Sequence, residues 1–252
     1  MSTSLKGKIA VITGSSRSIG AAIAKYMGAQ GAKVVVNYVS SANAADEVVS
    51  SIESSGGCAI AVKADASTIA GGKHLIDEAV KAFGGIDILV LNAGIMGSKV
   101  LADVDEAFYD SHFATNVKGP LFLAKAAAPL LPTPGGRIIF FSTSLTGSTV
   151  VAPNALVYTA TKAAIEQISR ILAKDPAIGA KGITVNTISP GPVDTPLFRE
   201  GKPQQLIETL AKLAPPGRLG AVDDIAPVVS FLASPAAQWV NGQNLRVNGG
   251  YV

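Results

Sequence analysis

Two side chains in the segment YTATK have the chemistry for proton exchange: the phenol of Tyr158 and the ammonium of Lys162. They stand four residues apart and open a segment of helical spacing, and residues at that distance share one helix face. A tyrosine ordinarily has a pKa of about 10, too high for ready proton exchange near neutrality. We expect the ammonium to favour the phenolate, lower the pKa of Tyr158 and make it a usable acid or base. The alternative is a surface pair without function.

Three hydroxyl side chains follow an apolar run just upstream of the same segment. The run RIIFF leads directly into Ser142, Thr143 and Ser144. In an open α/β sheet, residues just after the strands lie at the edge where ligands bind. The sequence therefore predicts that a strand delivers hydroxyls to the same place as Tyr158.

The chain as a whole alternates short apolar runs with segments of helical spacing. Runs of Val, Ile and Leu without polar alternation are typical of strands buried on both faces, and right-handed crossovers between them give a parallel sheet. We predict an α/β fold with a single doubly wound, seven-stranded parallel sheet and helices on both faces. The predicted strands are residues 8–13, 33–38, 58–63, 86–92, 137–143, 183–189 and 243–247, and segments of helical spacing include residues 21–31, 44–56, 73–85 and 162–175.

Composition limits the classes to which this sheet can belong. The 252 residues are 48% hydrophobic and 15% charged with a formal net charge of +3, which predicts one globular domain over residues 1–252. Scattered Lys and Arg residues argue against nucleic-acid binding. A single cysteine, Cys58, and two distant histidines, His74 and His112, support neither a disulfide framework nor a metal site. Without a signal-like N-terminus or a spanning apolar stretch, we expect a cytoplasmic protein with no membrane association.

Unusual residues follow four of the predicted strands. They are TGSSRSIG after the first strand, NYVSS after the second, NAG after the fourth and PGPVDTP after the sixth. Each is weak evidence by itself, because glycine-rich turns are common. Since the carboxyl ends of parallel strands share one edge, together they predict a ligand site there. Residues 190–216 are rich in Pro and Gly and contain a helical patch, QQLIETLAKL. We predict that they form a lid over that site.

Four motifs follow one another along the chain: the first turn, NAG, a serine fourteen positions before the tyrosine of Y-x3-K, and PG-x3-T. With these motifs in this order, the chain resembles the short-chain dehydrogenase/reductase family over residues 5–252. The resemblance implies a Rossmann-type domain, a nicotinamide cofactor, reduction of a carbonyl or oxidation of an alcohol, and usually a homotetramer. In character the chain is most similar to NADPH-dependent ketoreductases: the β-ketoacyl-carrier-protein reductase, polyhydroxynaphthalene reductase and carbonyl reductase branches.

The resemblance also implies roles for single residues. Tyr158 is similar to the family's catalytic acid/base, and Lys162 to the residue that lowers its pKa and binds the nicotinamide ribose. Ser144 resembles the hydroxyl that holds the substrate carbonyl, and it is preferred over Ser142 because Gly147 follows at the family spacing. Ser142 remains a weaker candidate with a structural role as its alternative. Another candidate, Asn116 in FATNVKGP, matches the asparagine that anchors a water in the proton relay.

Cofactor preference is read from the end of the second strand. NAD-selective folds place Asp or Glu there, whereas this chain has Asn37 followed by Tyr38. Arg17 in the first turn and the hydroxyl of Ser40 could donate to a 2′-phosphate. We therefore predict NADPH/NADP as the cofactor and expect that Asn37→Asp moves the preference toward NADH.

The predicted cofactor contacts lie along the same edge. Ser18 stands where the family has its middle glycine: a negative φ would point its N–H at a phosphate, and a positive φ would cost strain and cofactor affinity. Asp65 resembles the aspartate that binds the adenine amino group, with a helix N-cap as the alternative. The full set is Gly14, Ser16, Arg17, Ser18, Ile19, Gly20, Asn37, Tyr38, Ser40, Asp65, Ala66, Asn92, Ala93, Gly94, Tyr158, Lys162, Pro190, Gly191, Val193 and Thr195.

The expected substrate pocket is apolar. Its predicted walls are Met96, Leu145, Val151, Leu197 and Phe198, which suit a medium-sized ketone or β-keto compound. Arg199 and Lys202 in the lid are candidates for holding a phosphate or carboxylate, or else solvated charges. Two other functions stay open: an NAD-dependent alcohol, polyol or sugar dehydrogenase, which would share the catalytic set, and a non-catalytic nucleotide-sensing module, which would usually lack Tyr158 or Lys162.

Overall fold

The computed structural model describes residues 3–149 and 152–252, and seven parallel strands of this part form one sheet in the order β3-β2-β1-β4-β5-β6-β7. The predicted fold class is confirmed, and all seven predicted strands are present. The strands are β1 Ile9–Ile12, β2 Lys33–Tyr38, β3 Cys58–Lys63, β4 Ile88–Leu91, β5 Arg137–Phe141, β6 Thr184–Pro190 and β7 Asn244–Val247.

Helices cover both faces of this sheet. They are α1 Ser18–Ala29, α2 Ala42–Ser54, α3 Ile69–Phe83, α4 Glu106–Phe113, α5 Gly119–Ala127, α6 Leu156–Leu172, α7 Pro196–Arg199, α8 Gln204–Leu213 and α9 Val222–Ala233, with one π-helical turn at Ala114–Lys118 between α4 and α5. In the described parts of the chain, none of them combines the length and hydropathy needed to cross a bilayer.

Two apolar layers hold the helices to the sheet. Neighbouring residues of a strand point to opposite faces, so in β2 Val34 and Val36 join one core cluster while Val35 joins the other. The first cluster contains side chains of α1, α2 and α9, and the second contains side chains of α3, α5 and α6. All five residues of β5 and all seven of β6 are buried, as expected for central strands covered on both sides.

The strand order reverses between β1 and β4, which places the turns after these two strands side by side. Thr13 receives a hydrogen bond from the Ala93 amide on its Oγ1 (2.9 Å), and the Asn92 side-chain amide donates to the Thr13 carbonyl (3.0 Å). A reversal of this kind opens a crevice at the carboxyl edge of the sheet, which is where open α/β folds bind ligands.

The segment predicted as a lid leaves the sheet after Pro190, the last residue of β6. Its helical patch forms α8 with the predicted bounds, Gln204–Leu213. The start of the segment is joined to Gly220, which follows it in the chain: the Gly220 amide donates to the Pro192 carbonyl and the Asp194 amide donates to the Gly220 carbonyl, both at 2.8 Å. The excursion between them, which carries α7 and α8, is therefore fixed to the sheet at its base.

Candidate active site

The turn after β1 is tight because of two glycines. Gly14 has φ +61°, and a β-carbon there would lie 3.1 Å from the Cα of Ala93. A β-carbon added at Gly20 would lie 2.4 Å from the carbonyl oxygen of Gly14, a distance no side chain tolerates. These two positions need glycine for reasons of space, and they bring the start of α1 against the turn after β4.

Ser18 begins α1 with φ +51°, the one positive φ at a non-glycine position within residues 3–149 and 152–252. Of the two alternatives for Ser18, a negative or a positive φ, the structure has the positive one. The backbone is strained there, because the left-handed region is costly for a residue with a β-carbon. The preceding Arg17 is extended and exposed, and the helix has neither a side-chain cap nor an acidic residue in its first turn. Its N-terminus thus keeps free amides and a partial positive charge, which suits a phosphate.

Asn37, at the end of β2, is buried and its amide is used inside the protein. Its Nδ2 donates to the carbonyl oxygens of Ala64 (2.9 Å) and Val62 (3.3 Å), and its Oδ1 accepts from the Gly14 amide (3.0 Å). This side chain ties β3 and the first turn together, and its part in selecting the cofactor stays a prediction. Tyr38 is the half-buried last residue of β2, with exposed Val39 and Ser40 after it, so these residues are more accessible to a ligand than Asn37.

A cavity of about 70 Å³ lies between the first turn and the end of β3. Asp65 is exposed beside it, and its Oδ1 accepts hydrogen bonds from the amide and hydroxyl of Ser67 at 3.0 and 2.6 Å. Asp65 is not the N-cap of α3, since Thr68 accepts the capping bond from Gly71. Five predicted cofactor residues line this cavity: Gly14, Asn37, Asp65, Ala66 and Ala93.

Asn116 occupies the π-helical turn and is buried against the loop after β4. Its Nδ2 donates to the carbonyl of Ile95 (2.9 Å) and to the hydroxyl of Thr161 on α6 (3.1 Å), while its Oδ1 accepts from the Ile95 amide (2.9 Å). A β-carbon at Gly94 would meet Asn116 Oδ1 at 3.2 Å and Lys162 Nζ at 3.3 Å, so the NAG turn closes onto both. The side chain of Asn116 thus fastens this turn to α6, and its place in a proton relay stays a prediction.

Tyr158 and Lys162 lie on one face of α6, with Lys162 Nζ 5.9 Å from the centre of the Tyr158 ring. Lys162 is buried and donates to the carbonyl of Phe141, the last residue of β5, at 2.9 Å. Burial raises the pKa of Tyr158 to about 12 although hydrogen bonding with Thr143 lowers it, and burial lowers the pKa of Lys162 to about 8. The protein's own groups therefore raise the pKa of Tyr158, because burial of the phenol outweighs its hydrogen bonding with Thr143. The fall in this pKa expected from Lys162 together with a positive nicotinamide ring stays a prediction.

Ser144 opens a short 3-10 turn, Ser144–Gly147, and is buried with its Oγ donating to the carbonyl of Ser189 on β6 (3.0 Å). Ser142 points elsewhere: its Oγ lies 2.7 Å from Glu166 Oε1 and 3.2 Å from the Lys162 carbonyl. Ser142 is thus held against α6, which agrees with the structural alternative, and the preference for Ser144 stays a prediction. Sequence reasoning missed Glu166, although its position four residues after Lys162 put it on the same helix face.

The remaining predicted residues lie in segment 190–216, whose role as a lid stays a prediction, and after β4 and β5. Thr195, near the start of this segment, caps α7 by accepting a hydrogen bond from the Phe198 amide (3.2 Å). Leu197 is exposed, while Met96, Leu145 and Phe198 are half-buried. Val151 lies outside the described residues. A larger cavity of about 190 Å³ lies behind the lid base, and its walls include the predicted cofactor residues Gly191 and Val193 together with Leu210 and Ile225.

Two cations of segment 190–216 that were candidates for an anion are engaged within the protein. Arg199 forms a bidentate ion pair with Asp194, at 2.6 and 2.9 Å. Lys202 donates to the carbonyl of Phe198 at 2.6 Å and lies over its ring. A phosphate or carboxylate here would compete with these contacts.

Comparison with known proteins agrees with the geometry. A family model described as enoyl-(acyl carrier protein) reductase matches residues 14–252. An NADPH-dependent aldehyde reductase-like protein, chloroplastic, of Arabidopsis thaliana is 41% identical over 98% of this chain and 95% of its own length, and versicolorin reductase stcU of Emericella nidulans is 43% identical over 98% and 96%. A short-chain dehydrogenase of Burkholderia cenocepacia, solved in complex with NADP, is 37% identical over 98% of both chains with a TM-score of 0.91. The chain belongs to the short-chain dehydrogenase/reductase family.

Proposed function

We propose that this protein uses NADPH to reduce a ketone or β-keto compound to a secondary alcohol, with Tyr158 as the proton donor. The observation that carries the proposal is the meeting of Tyr158, Lys162 and Ser144 at the carboxyl edge of the sheet, around Phe141 and Ser189. A phenol, an ammonium and a hydroxyl placed together are the groups that carbonyl reduction needs.

The cofactor site is supported by the fit of the chain's own residues. The uncapped N-terminus of α1, entered through Gly14, suits the pyrophosphate, and the cavity beside Asp65 suits the adenosine half. No carboxylate occurs between Asn37 and Asp46, so nothing at the end of β2 repels a 2′-phosphate. A relative named as NADPH-dependent and a solved structure in complex with NADP also support NADPH as the cofactor. When bound, NADPH supplies the hydride.

The protein's residues then have complementary tasks. Tyr158 keeps its proton near neutrality because burial holds its pKa at about 12, so the hydroxyl donates to the carbonyl oxygen of the substrate. The hydroxyl of Ser144 gives this oxygen a second hydrogen bond once it turns from the Ser189 carbonyl. Lys162, charged below its pKa of about 8, stabilises the negative charge left on Tyr158 after the proton is transferred.

We propose an uncharged, largely apolar substrate. Met96, Leu145 and Phe198 offer apolar surface, and two of the cations of segment 190–216, Arg199 and Lys202, are already bonded within the protein. One relative is named as a versicolorin reductase. A carrier-bound β-ketoacyl thioester remains the competing substrate within the same chemistry.

The decisive experiment measures consumption of NADPH and NADH with aromatic ketones, β-ketoesters, quinones, aldehydes and a β-ketoacyl thioester. We expect turnover with NADPH and at least one ketone class, and much weaker turnover with NADH. Preference for NAD with polyols would support the dehydrogenase alternative instead. Cofactor binding without turnover of any substrate would leave the non-catalytic module as the function.

The organisation around this site is also a proposal. We propose a single functional domain over residues 1–252 from length and composition, and a substrate lid at 190–216 from its Pro- and Gly-rich sequence. A homotetramer is proposed from family resemblance, and sedimentation analysis measures it directly. A cytoplasmic location stays a prediction, since one relative is named as chloroplastic.

A further inference from the structure

We propose that Glu166 is a positioning residue that sets the place of Ser144 relative to Tyr158 and Lys162. This inference rests on the proposed carbonyl reduction, and it concerns a residue that touches none of the reacting atoms. Glu166 lies on α6, one turn after Lys162 and two turns after Tyr158, so its place in space is fixed by the helix that carries both.

The carboxylate of Glu166 holds the serine turn from two sides. Its Oε1 lies 2.7 Å from the hydroxyl of Ser142 and 2.5 Å from the hydroxyl of Thr146. These residues stand two positions before and two positions after Ser144, so one oxygen atom brackets the predicted catalytic serine. Hydrogen bonds to an ionised acceptor are shorter and about twice as strong as neutral ones, which makes this bracket stiffer than a contact between hydroxyls.

Strand β6 holds Ser144 from another direction. The hydroxyl of Ser144 donates to the carbonyl oxygen of Ser189 at 3.0 Å. The Ser189 hydroxyl gives its one proton to Asn244 Oδ1 on β7 at 2.6 Å, so its 3.5 Å approach to Glu166 Oε1 is at most a weak contact. The half-buried Glu166 therefore acts on Ser144 through Ser142 and Thr146.

The functional consequence follows from the geometry of carbonyl reduction. Ser144 and Tyr158 must donate to the same oxygen atom. Glu166 is one of several contacts between their segments, beside the Lys162 bond to Phe141 and hydrogen bonding between Tyr158 and Thr143, and it is the one that holds the residues on both sides of Ser144. A misplacement of about 1 Å in such a pair costs about 10²-fold in rate. Loss of the Glu166 bracket is therefore expected to lower kcat while NADPH affinity is unchanged, because none of the hydrogen bonds of Glu166 reaches the cavity beside Gly14 and Asp65.

The test compares Glu166→Ala with Gln167→Ala, its exposed neighbour on the same helix, whose side chain bonds only Arg170. We expect Glu166→Ala to lose about 10- to 100-fold in kcat with unchanged NADPH affinity, and Gln167→Ala to keep normal values. Glu166→Gln, which retains an acceptor oxygen, should recover part of the loss. In a Ser144→Ala background, Glu166→Ala should cost nothing further, because it acts through Ser144.

Amide hydrogen exchange gives a readout that does not depend on substrate. The amides of Ser144–Gly147 should exchange faster in Glu166→Ala than in wild type and in Gln167→Ala. Unchanged exchange, or losses in kcat that add to those of Ser144→Ala, would overturn the positioning role. Absence of turnover in the wild type would instead overturn the proposed function, and the exchange measurement would still decide the role of Glu166.

Discussion

Lys162 donates a 2.9 Å hydrogen bond to the carbonyl oxygen of Phe141, and this bond joins the helix of the predicted acid/base to the end of a central strand. No carboxylate is bonded to Lys162 in the described structure, so no ion pair offsets the free-energy cost of burying its positive charge. The pKa of Lys162 falls to about 8 as a result. The ammonium that the proposed mechanism needs is thus only just maintained at physiological pH.

The first prediction concerns pH. Because the pKa of Lys162 lies at about 8, its charge is present below that pH and is lost as the pH rises through it. We expect kcat/KM for NADPH, which reports groups of the free enzyme, to fall above about pH 8. Tyr158, with a pKa of about 12, stays protonated over the same range and adds no second limb. A profile that stays flat to about pH 10 would contradict this assignment.

The second prediction concerns the proton donor. Tyr158→Phe removes the hydroxyl and keeps the ring, so turnover should fall by about 10²- to 10⁴-fold while NADPH affinity is retained. Tyr109→Phe is the matched control, since Tyr109 lies exposed on α4 and its stacking on Phe113 survives the change. Steady-state rates and fluorescence titration with NADPH measure both effects. Near-normal turnover in Tyr158→Phe would remove Tyr158 from the mechanism.

Sequence periodicity predicted the sheet well and some helices less well. The bounds of β2 and β3 agree with prediction because apolar β-branched runs end there at turn residues. Helix α9 was not predicted, and it contains Pro227, a residue that usually ends a helix. The π-helical turn that places Asn116 depends on contacts with the loop after β4 and with α6, which no local pattern reports.

The sequence indicated the candidate residues at the strand ends but not their hydrogen bonds. The strand-end rule indicated Asn37, and it could not report that the amide of Asn37 bonds to β3 and to the first turn. The partners of Glu166 lie just after β5 and in the following turn, 24 and 20 positions away in the chain, so helical spacing alone gave it no role. Long-range hydrogen bonds, rather than residue types, made the difference in both cases.

The third prediction replaces the expectation for Asn37. Asn37→Asp would set a buried carboxylate against the carbonyl oxygens of Val62 and Ala64, so we expect a loss of about 1–3 kcal/mol in stability and no gain with NADH. Tyr38→Asp places the carboxylate at the end of β2 instead. It should raise the ratio of kcat/KM with NADH to that with NADPH by about tenfold or more, equivalent to about 1.4 kcal/mol. A switch in preference caused by Asn37→Asp alone would refute this reading of the two positions.

The fourth prediction concerns the strained residue at the start of α1. At φ +51°, the backbone strain at Ser18 lowers the folding stability by about 1–2 kcal/mol, and glycine avoids this strain. Glycine in turn lowers the stability by about 0.5–1 kcal/mol, because it has greater freedom in the unfolded chain. Ser18→Gly should therefore gain about 0.5–1 kcal/mol in urea unfolding and bind NADPH at least as tightly. Ser16→Gly, at a position without positive φ in the same turn, is the control and should lose stability. Weaker NADPH binding by Ser18→Gly would show that the serine hydroxyl is a phosphate ligand whose contribution outweighs the strain.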